Sequence, residues 1–224
     1  MQTKGYIDME ITTKLKAQET ARDLAYHMLA EAFRLPVPGY TAVLEKLRKA
    51  LADLSSEACK EVECLLESCR NAPDTDALQV EYTRLFLGPF SAPAPPYGSV
   101  YLEQERRLMG DSTVDARKHY LTMGVDLSPD FKEAPDHICA ELEFMHVLIS
   151  MGLKAIEDSD YELLAENVRH QRSFLLHHLG AWLPTFANKV MEHSQAGFYR
   201  YLAAAAAKFV AEDMDGLAEI EDLE

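Results

Sequence analysis

The stretch EAPDHICAELEFMH, from Glu133 to His146, indicates the fold, because a proline and an Asp-His pair lead into apolar residues at helical spacing. The apolar positions that share one helix face here are Ile138, Leu142, Met145 and Ile149. This i, i+4, i+7 pattern predicts a helix over 136–156 with one face on a core.

Asp136 and His137 stand at the start of this helix. Asp136 follows a proline, so it is expected to be the N-cap, its carboxylate accepting from the amide of Ile138 or Cys139. His137 would then be the first helical residue, where the helix dipole lowers the pKa of the ring and favours its neutral form. Taken alone, the pair is compatible with a capped surface turn or with a binding role.

Helical spacing of apolar residues recurs along most of the chain and predicts an all-α fold. The other predicted helices cover 20–35, 41–54, a stretch capped by Ser55 and Ser56, 75–87, 100–109, 112–123, 161–179, 181–192 and 195–212. Sustained apolar–polar alternation flanked by hairpin turns is absent from the sequence, so strands are not needed. We expect a single-domain helical bundle of about eight to ten helices over 1–211. An acidic tail over 212–224 is expected to be frayed.

A proline-rich connection interrupts the helical pattern at 88–99. Its sequence, GPFSAPAPPYGS, places four prolines between Pro89 and Pro96, and a helix cannot cross such a segment. Prolines also lower the conformational entropy of the unfolded segment, so a long connection of this kind can be a preset surface. Long ordered loops are often functional.

The charge of the chain restricts its partners. Thirty-seven acidic residues against 22 Lys and Arg give a formal net charge of −15. Such a field repels nucleic-acid phosphates and anionic lipid, and it favours a cationic peptide as a partner. The first twenty residues lack the apolar segment of a secretory signal, and the longest apolar run, Tyr201 to Ala207, is far too short to cross a membrane. We therefore expect a cytoplasmic protein that neither inserts into a membrane nor binds nucleic acid.

Candidate chemical motifs in the sequence are few. Glu143 and His146 form a Glu-x-x-His pair, which a di-metal bundle would need twice, and the sequence holds no second pair. Neither a Gly-x-Ser-x-Gly motif nor a phosphate-binding loop occurs, and the four cysteines are spaced as ordinary thiols. We predict no catalytic residue, no metal site and no cofactor. Two alternatives stay open: a helical metalloenzyme using Glu143, His146 and His137, and a regulatory adaptor that binds another basic amphipathic helix.

Two segments resemble the signatures of the TorD/NarJ-type redox-enzyme maturation chaperones, the group that includes DmsD-like proteins. The first is EYTRLFLGP, residues 81–89, followed by PPYGSVY, residues 95–101. The second is APDH, residues 134–137, leading into ELEFM, residues 141–145. The order and separation of the two segments also fit. Gly98 departs from the pattern, since relatives commonly carry a larger residue there, often glutamate.

This resemblance implies a TorD-like, all-helical cytoplasmic chaperone. Members of the family bind an apo-oxidoreductase of the molybdopterin class, often through its twin-arginine signal peptide. They hold it back from export until its cofactor is inserted. The implied partners are therefore the catalytic subunit of such an enzyme and its signal peptide. Both a monomer and a helix-exchanged dimer are compatible with the sequence.

The resemblance also implies a site. It places Asp136 and His137 in the binding pair and the proline-rich loop opposite them. Acidic residues suit the arginines of a signal peptide, and aromatic or apolar residues suit its apolar segment. The predicted peptide-binding residues are Asp136, His137, Glu81, Phe86, Tyr97, Ser99, Tyr101 and Met145. Glu81 has a second interpretation, as the structural partner of Arg84 or of a loop amide.

Overall fold

A computed structural model describes residues 2–70, 74–88, 91–103 and 109–221, with side chains from residue 12 to residue 218 within those ranges. Ten α-helices occur there, and the β-type pairing in these ranges is one isolated bridge between Tyr97 and His137, so the all-α prediction is confirmed. The helices are α1 Gln2–Ala32, α2 Thr41–Asp53, α3 Ala58–Arg70, α4 Thr75–Tyr82, α5 Ser99–Leu102, α6 Asp111–Thr122, α7 Ile138–Asp158, α8 Tyr161–His177, α9 Leu179–His193 and α10 Gly197–Glu221. None of the helices in the described ranges is long and apolar enough to cross a membrane.

Helix α7 lies at the centre of the bundle. It packs along α1 on one side and against α8 on another, while α10 packs against α3 and α9. Apolar residues surround most of the first half of α7, so that half is buried on nearly every side. The largest fully buried side chains include Trp182, Tyr26 and Tyr199, which come from α9, α1 and α10. The core is therefore shared by helices from both ends of the chain.

The helix predicted for 75–87 changes its geometry partway. After α4, residues Thr83–Leu87 form a π-helical turn that ends at Gly88. Gly88 has a φ of 58°, and a Cβ there would lie 2.5 Å from the carbonyl oxygen of Ser91. Glycine is needed because the chain must turn sharply into the proline-rich loop.

The helix predicted over 100–109 is short. It is reduced to α5, and Glu103 is already extended. The carboxylate of Glu103 accepts hydrogen bonds from the amide and the hydroxyl of Ser112 at 3.1 and 2.7 Å, so it caps the start of α6 instead of continuing α5. Residues 104–108 of the predicted helix lie outside the described residues.

The frayed tail predicted from residue 212 is wrong over the part that the structure describes. Helix α10 continues to Glu221. Asp213 forms an ion pair with the buried Arg22 at 2.6 Å and accepts from the hydroxyl of Tyr26 at 2.7 Å. A buried guanidinium needs an acidic partner, and Asp213 supplies it. The last three residues, 222–224, lie outside the described residues.

Candidate functional site

The proline-rich loop meets the start of α7, and we call residues 95–101 together with Asp136, His137 and Glu141 the loop–α7 junction. Tyr97 and His137 form the isolated antiparallel bridge. The amide of Gly98 donates to the carbonyl of Asp136 at 2.8 Å, and the amide of Ile138 donates to the carbonyl of Pro96 at 2.9 Å. The two signature segments, more than thirty residues apart, are thus joined by backbone hydrogen bonds.

Asp136 binds the loop instead of capping α7. Only 1% of the residue is exposed, and its Oδ2 accepts from the amide of Ser99 at 2.8 Å. The expected cap bond to Ile138 or Cys139 is absent, because the amide of Ile138 already donates to the loop and that of Cys139 donates to His137. Within the described residues, the buried Oδ1 of Asp136 and the hydroxyl of Ser99 have no hydrogen-bond partner.

His137 is the N-cap of α7, not its first helical residue. Its Nδ1 accepts from the amide of Cys139 at 3.2 Å, so the proton of the neutral ring is on Nε2. Burial lowers the pKa of His137 to about 4, which keeps the ring neutral near pH 7. The direction matches the sequence-based expectation, but the main cause is burial and not the helix dipole. The ring packs edge to face against Tyr97, with centroids 5.2 Å apart.

Glu141, one turn into α7, forms a contact that sequence reasoning missed. It is completely buried, and its Oε2 accepts from the indole Nε1 of Trp182 at 2.8 Å. Burial is the largest cause that raises the pKa of Glu141 well above its ordinary value, and nearby Asp136 adds to it. The protonated acid is therefore favoured. The sequence signal of this contact was the position of Glu141 within the apolar stripe of a helix, where an acid is expected to be buried only with a partner.

The same tryptophan leaves no room for a side chain at position 98, which is glycine. A Cβ at this position would lie 2.9 Å from Nε1 of Trp182, which is closer than real Cβ contacts allow. The indole also stacks on the ring of Tyr101, with centroids 5.6 Å apart and planes at 11°. Position 98 departs from the family pattern by carrying a small residue, and the indole of Trp182 occupies the space beside it.

Glu81 lies in a different environment. Its carboxylate accepts from Nε and Nη2 of Arg84 at 2.7 and 2.8 Å, and from the amide of Gln195 at 2.7 Å. The residue is 7% exposed. These contacts correspond to its alternative interpretation, as a structural partner of Arg84 and of a loop amide, and they tie α4 to the turn before α10.

The remaining predicted site residues differ in exposure. Phe86 and Met145 are buried in the core, Phe86 against Tyr199 with ring centroids 5.4 Å apart. Tyr97 and Tyr101 are half-buried. The hydroxyl of Tyr101 donates to the carbonyl of Pro95 at 2.8 Å, and that of Tyr97 donates to Glu133 at 2.5 Å. The structure therefore brings Tyr97 and Ser99 to the Asp-His pair, whereas Tyr101 stacks on Trp182 and Met145 lies two turns along α7.

An open groove adjoins the junction, and sequence reasoning did not identify it. It has a volume of about 360 Å³ and runs between residues 125–131 and α7. Phe131 in its wall lies 6.0 Å from the ring of His137, measured between centroids. The apolar side chains that line it are Val125, Leu127, Phe131, Phe144 and Val147, and its charged residues are Asp126, Asp130, Glu143 and Arg34. We call this the acidic groove, because three of its four charged lining residues are carboxylates, although Asp126 is paired with Arg117 at 2.8 Å.

Comparisons with known proteins agree with the two signature segments. The family model of the nitrate reductase delta subunit matches residues 39–188. A chaperone protein TorD of Psychrobacter sp. is 28% identical over 96% of this chain and 100% of its own length. A TorD of Vibrio cholerae is 31% identical over 81% of this chain and 82% of its own. The Tat proofreading chaperone DmsD of Salmonella typhi is 33% identical over 58% of this chain and 57% of its own.

A solved structure shares the fold. The crystal structure described as that of a redox enzyme maturation protein from Archaeoglobus fulgidus has a TM-score of 0.51 and 27% sequence identity. The match covers 85% of this chain and 93% of that one. The helical bundle of this chain therefore has the same fold as that protein.

Proposed function

This chain belongs to the nitrate reductase delta subunit family as a TorD-type redox-enzyme maturation chaperone, and we propose that it binds the twin-arginine signal peptide of an apo molybdopterin oxidoreductase in the cytoplasm. In this proposal it retains the enzyme until its cofactor is inserted. It is a binding protein and not an enzyme, since its relatives are named chaperones, and the metalloenzyme alternative is set aside.

The acidic groove is the observation that supports this function. A twin-arginine signal peptide combines two cations with an apolar segment that must be shielded from water. The groove pairs an apolar wall around Phe131 with carboxylates at Asp130 and Glu143. Asp130 is exposed, so an arginine can reach it without first removing a buried charge. Charge-assisted hydrogen bonds to arginine and apolar burial would then act on one ligand.

Asp136 and His137 have a positioning role in this proposal. Both are nearly inaccessible, with 1% and 4% exposure, so a peptide on the surface would not touch them while the loop is in place. They hold the loop through Ser99 and Tyr97, and His137 supports Phe131 in the groove wall. Their effect on binding would therefore be indirect.

A peptide titration tests the proposal. The probe is a labelled synthetic peptide with two adjacent arginines followed by an apolar stretch, and fluorescence anisotropy reports its affinity. The double variant Asp130→Asn with Glu143→Gln is expected to bind about tenfold more weakly, since each exposed ion pair contributes up to about 1 kcal/mol. The matched control, Glu157→Gln with Asp158→Asn at the far end of α7, removes the same charge away from the groove.

Two further arms make the result decisive. Raising the salt concentration should weaken binding, because exposed charges are screened within about 8 Å at physiological ionic strength. A peptide with both arginines replaced by glutamine should bind poorly, whereas equal binding would contradict recognition through the arginines. Equal losses in the groove variant and in the control would contradict the groove as the site.

A further inference from the structure

A group of metal-ligating side chains lies between α1 and α7. Glu143 and His146 are three residues apart on α7, so they share a face, and His27 comes from α1 opposite them. One potential ligand atom from each residue lies within 4.8 Å of the other two. Nδ1 of His27 is 3.2 Å from Oε2 of Glu143, and the rings of His27 and His146 have centroids 4.7 Å apart.

His146 is oriented in the way that metal-ligating histidines usually are. Its Nδ1 is 2.8 Å from Oδ1 of Asp23, and the hydroxyl of Ser150 donates to the same carboxylate oxygen at 2.8 Å. With the Nδ1 proton donated to Asp23, the lone pair on Nε2 is left for a ligand. A carboxylate behind the imidazole fixes its tautomer and makes it a better ligand, which is a recurring arrangement in metal proteins.

The geometry points to a divalent transition metal such as Zn²⁺, and we propose that His27, Glu143 and His146 bind it. Two ligand atoms at about 2.1 Å from a tetrahedral zinc are about 3.4 Å apart, close to the observed 3.2 Å between His27 and Glu143. Two imidazoles and one carboxylate form a ligand set that zinc accepts. Since the three side chains are 24–36% exposed, they can rotate inward and leave a fourth position to water.

Such a site would connect the two helices that pack together most extensively in the described part of the chain. The sequence indicated only the Glu143–His146 pair and not the third ligand, because His27 lies 116 residues from Glu143. A bound metal would stabilise the folded state, and the stabilisation would grow with the logarithm of the ratio of free metal concentration to dissociation constant. Glu143 also lines the acidic groove, but the test uses no peptide and changes only His27, His146 and Asp23, so failure of this proposal can be distinguished from failure of the proposed function.

The test is metal titration of untagged protein that has been stripped with a chelator. Zn²⁺ binding is followed by calorimetry, and Co²⁺ binding by its visible absorption. The wild type is expected to bind one equivalent at this site. The double variant His27→Gln with His146→Gln should lose that equivalent, and Asp23→Asn should bind it roughly 10–100-fold more weakly. The control is the double variant His170→Gln with His193→Gln, histidines outside the group.

Thermal unfolding gives the second readout. Zn²⁺ should raise the Tm of the wild type and of the control, excess chelator should reverse the rise, and the His27/His146 variant should not respond. The other group with suitable spacing in the described residues is Asp115, His119 and His178. Binding that persists in the His27/His146 variant but is lost in Asp115→Asn would overturn the proposal. Absence of binding to the wild type would also overturn it.

Discussion

The loop–α7 junction and the acidic groove are neighbours separated by His137 and Phe131, yet they are built in opposite ways. The junction contains the residues that resemble the family signature, and its key acids are buried: Asp136 is 1% exposed and Glu141 is fully buried. The groove contains exposed or half-buried residues at 125–131 that no signature marked. The comparison shows that a recognisable motif can serve to fix a loop, and in our proposal the adjacent open surface contacts the ligand.

Substitution of Gly98 tests the junction with the largest expected effect. In Gly98→Glu the new side chain would begin 2.9 Å from the indole nitrogen of Trp182, in a region that already holds buried Glu141. Overpacking and an unpaired buried acid should lower the free energy of unfolding by about 3 kcal/mol. Urea denaturation measures the loss.

A second substitution identifies the cause. Adding Trp182→Ala to Gly98→Glu should cost less than the sum of the two single variants, because the indole is the group that the new side chain meets. Strictly additive losses would mean that the indole is not what restricts position 98.

The pH dependence of His137 is the second test. Its folded-state pKa of about 4 lies below the ordinary value of 6.5, chiefly because of burial, so the unfolded chain binds an extra proton between these values. Stability contributed by this residue is complete above about pH 6.5 and falls as the pH decreases toward 4, by about 2 kcal/mol at pH 5. His137→Asn keeps a cap acceptor without titrating, so the stability difference between wild type and variant should change over that interval and remain constant above it.

Glu141 should show the opposite dependence. The pKa of Glu141 is raised in the folded state, so its contribution to folding stability is complete below about pH 4.5. That contribution declines as the pH rises, because the glutamate of the unfolded chain then ionises. Glu141→Gln keeps an acceptor for Trp182 and removes the ionisation. We expect this variant to be more stable than the wild type at pH 7.5 and to lose that advantage at pH 4. Thermal unfolding of both proteins at pH 4 and at pH 7.5 checks the sign of the stability difference between them. A difference that is the same at both pH values would contradict burial of the neutral acid.

The sequence was sufficient for most of the helices and for the family, because apolar periodicity and the two signature segments are local patterns. It was insufficient wherever a contact joins distant segments. Asp136 was expected to cap α7, but Ser99, which lies 37 residues away, offers its amide to the carboxylate instead. The acidic tail was expected to fray as chain termini often do, yet Arg22 lies buried and needs Asp213.

The groove was hidden from sequence analysis for a related reason. Residues 125–131 are neither helical nor periodic, so no pattern shows that Phe131 faces α7. Glu143 was identified only as half of a Glu-x-x-His pair, whereas the fold places it both in the groove and beside His27. Roles of this kind arise from packing and become visible only in three dimensions.

Hydrogen exchange with and without the twin-arginine peptide tests the central claim most directly. If the groove binds the peptide and the junction only positions it, exchange should slow at amides of 125–131 in the complex. The amides of Gly98 and Ser99, already bonded to Asp136 in the free protein, should change little. Protection confined to 95–101, with 125–131 unchanged, would contradict the account and place the peptide on the proline-rich loop.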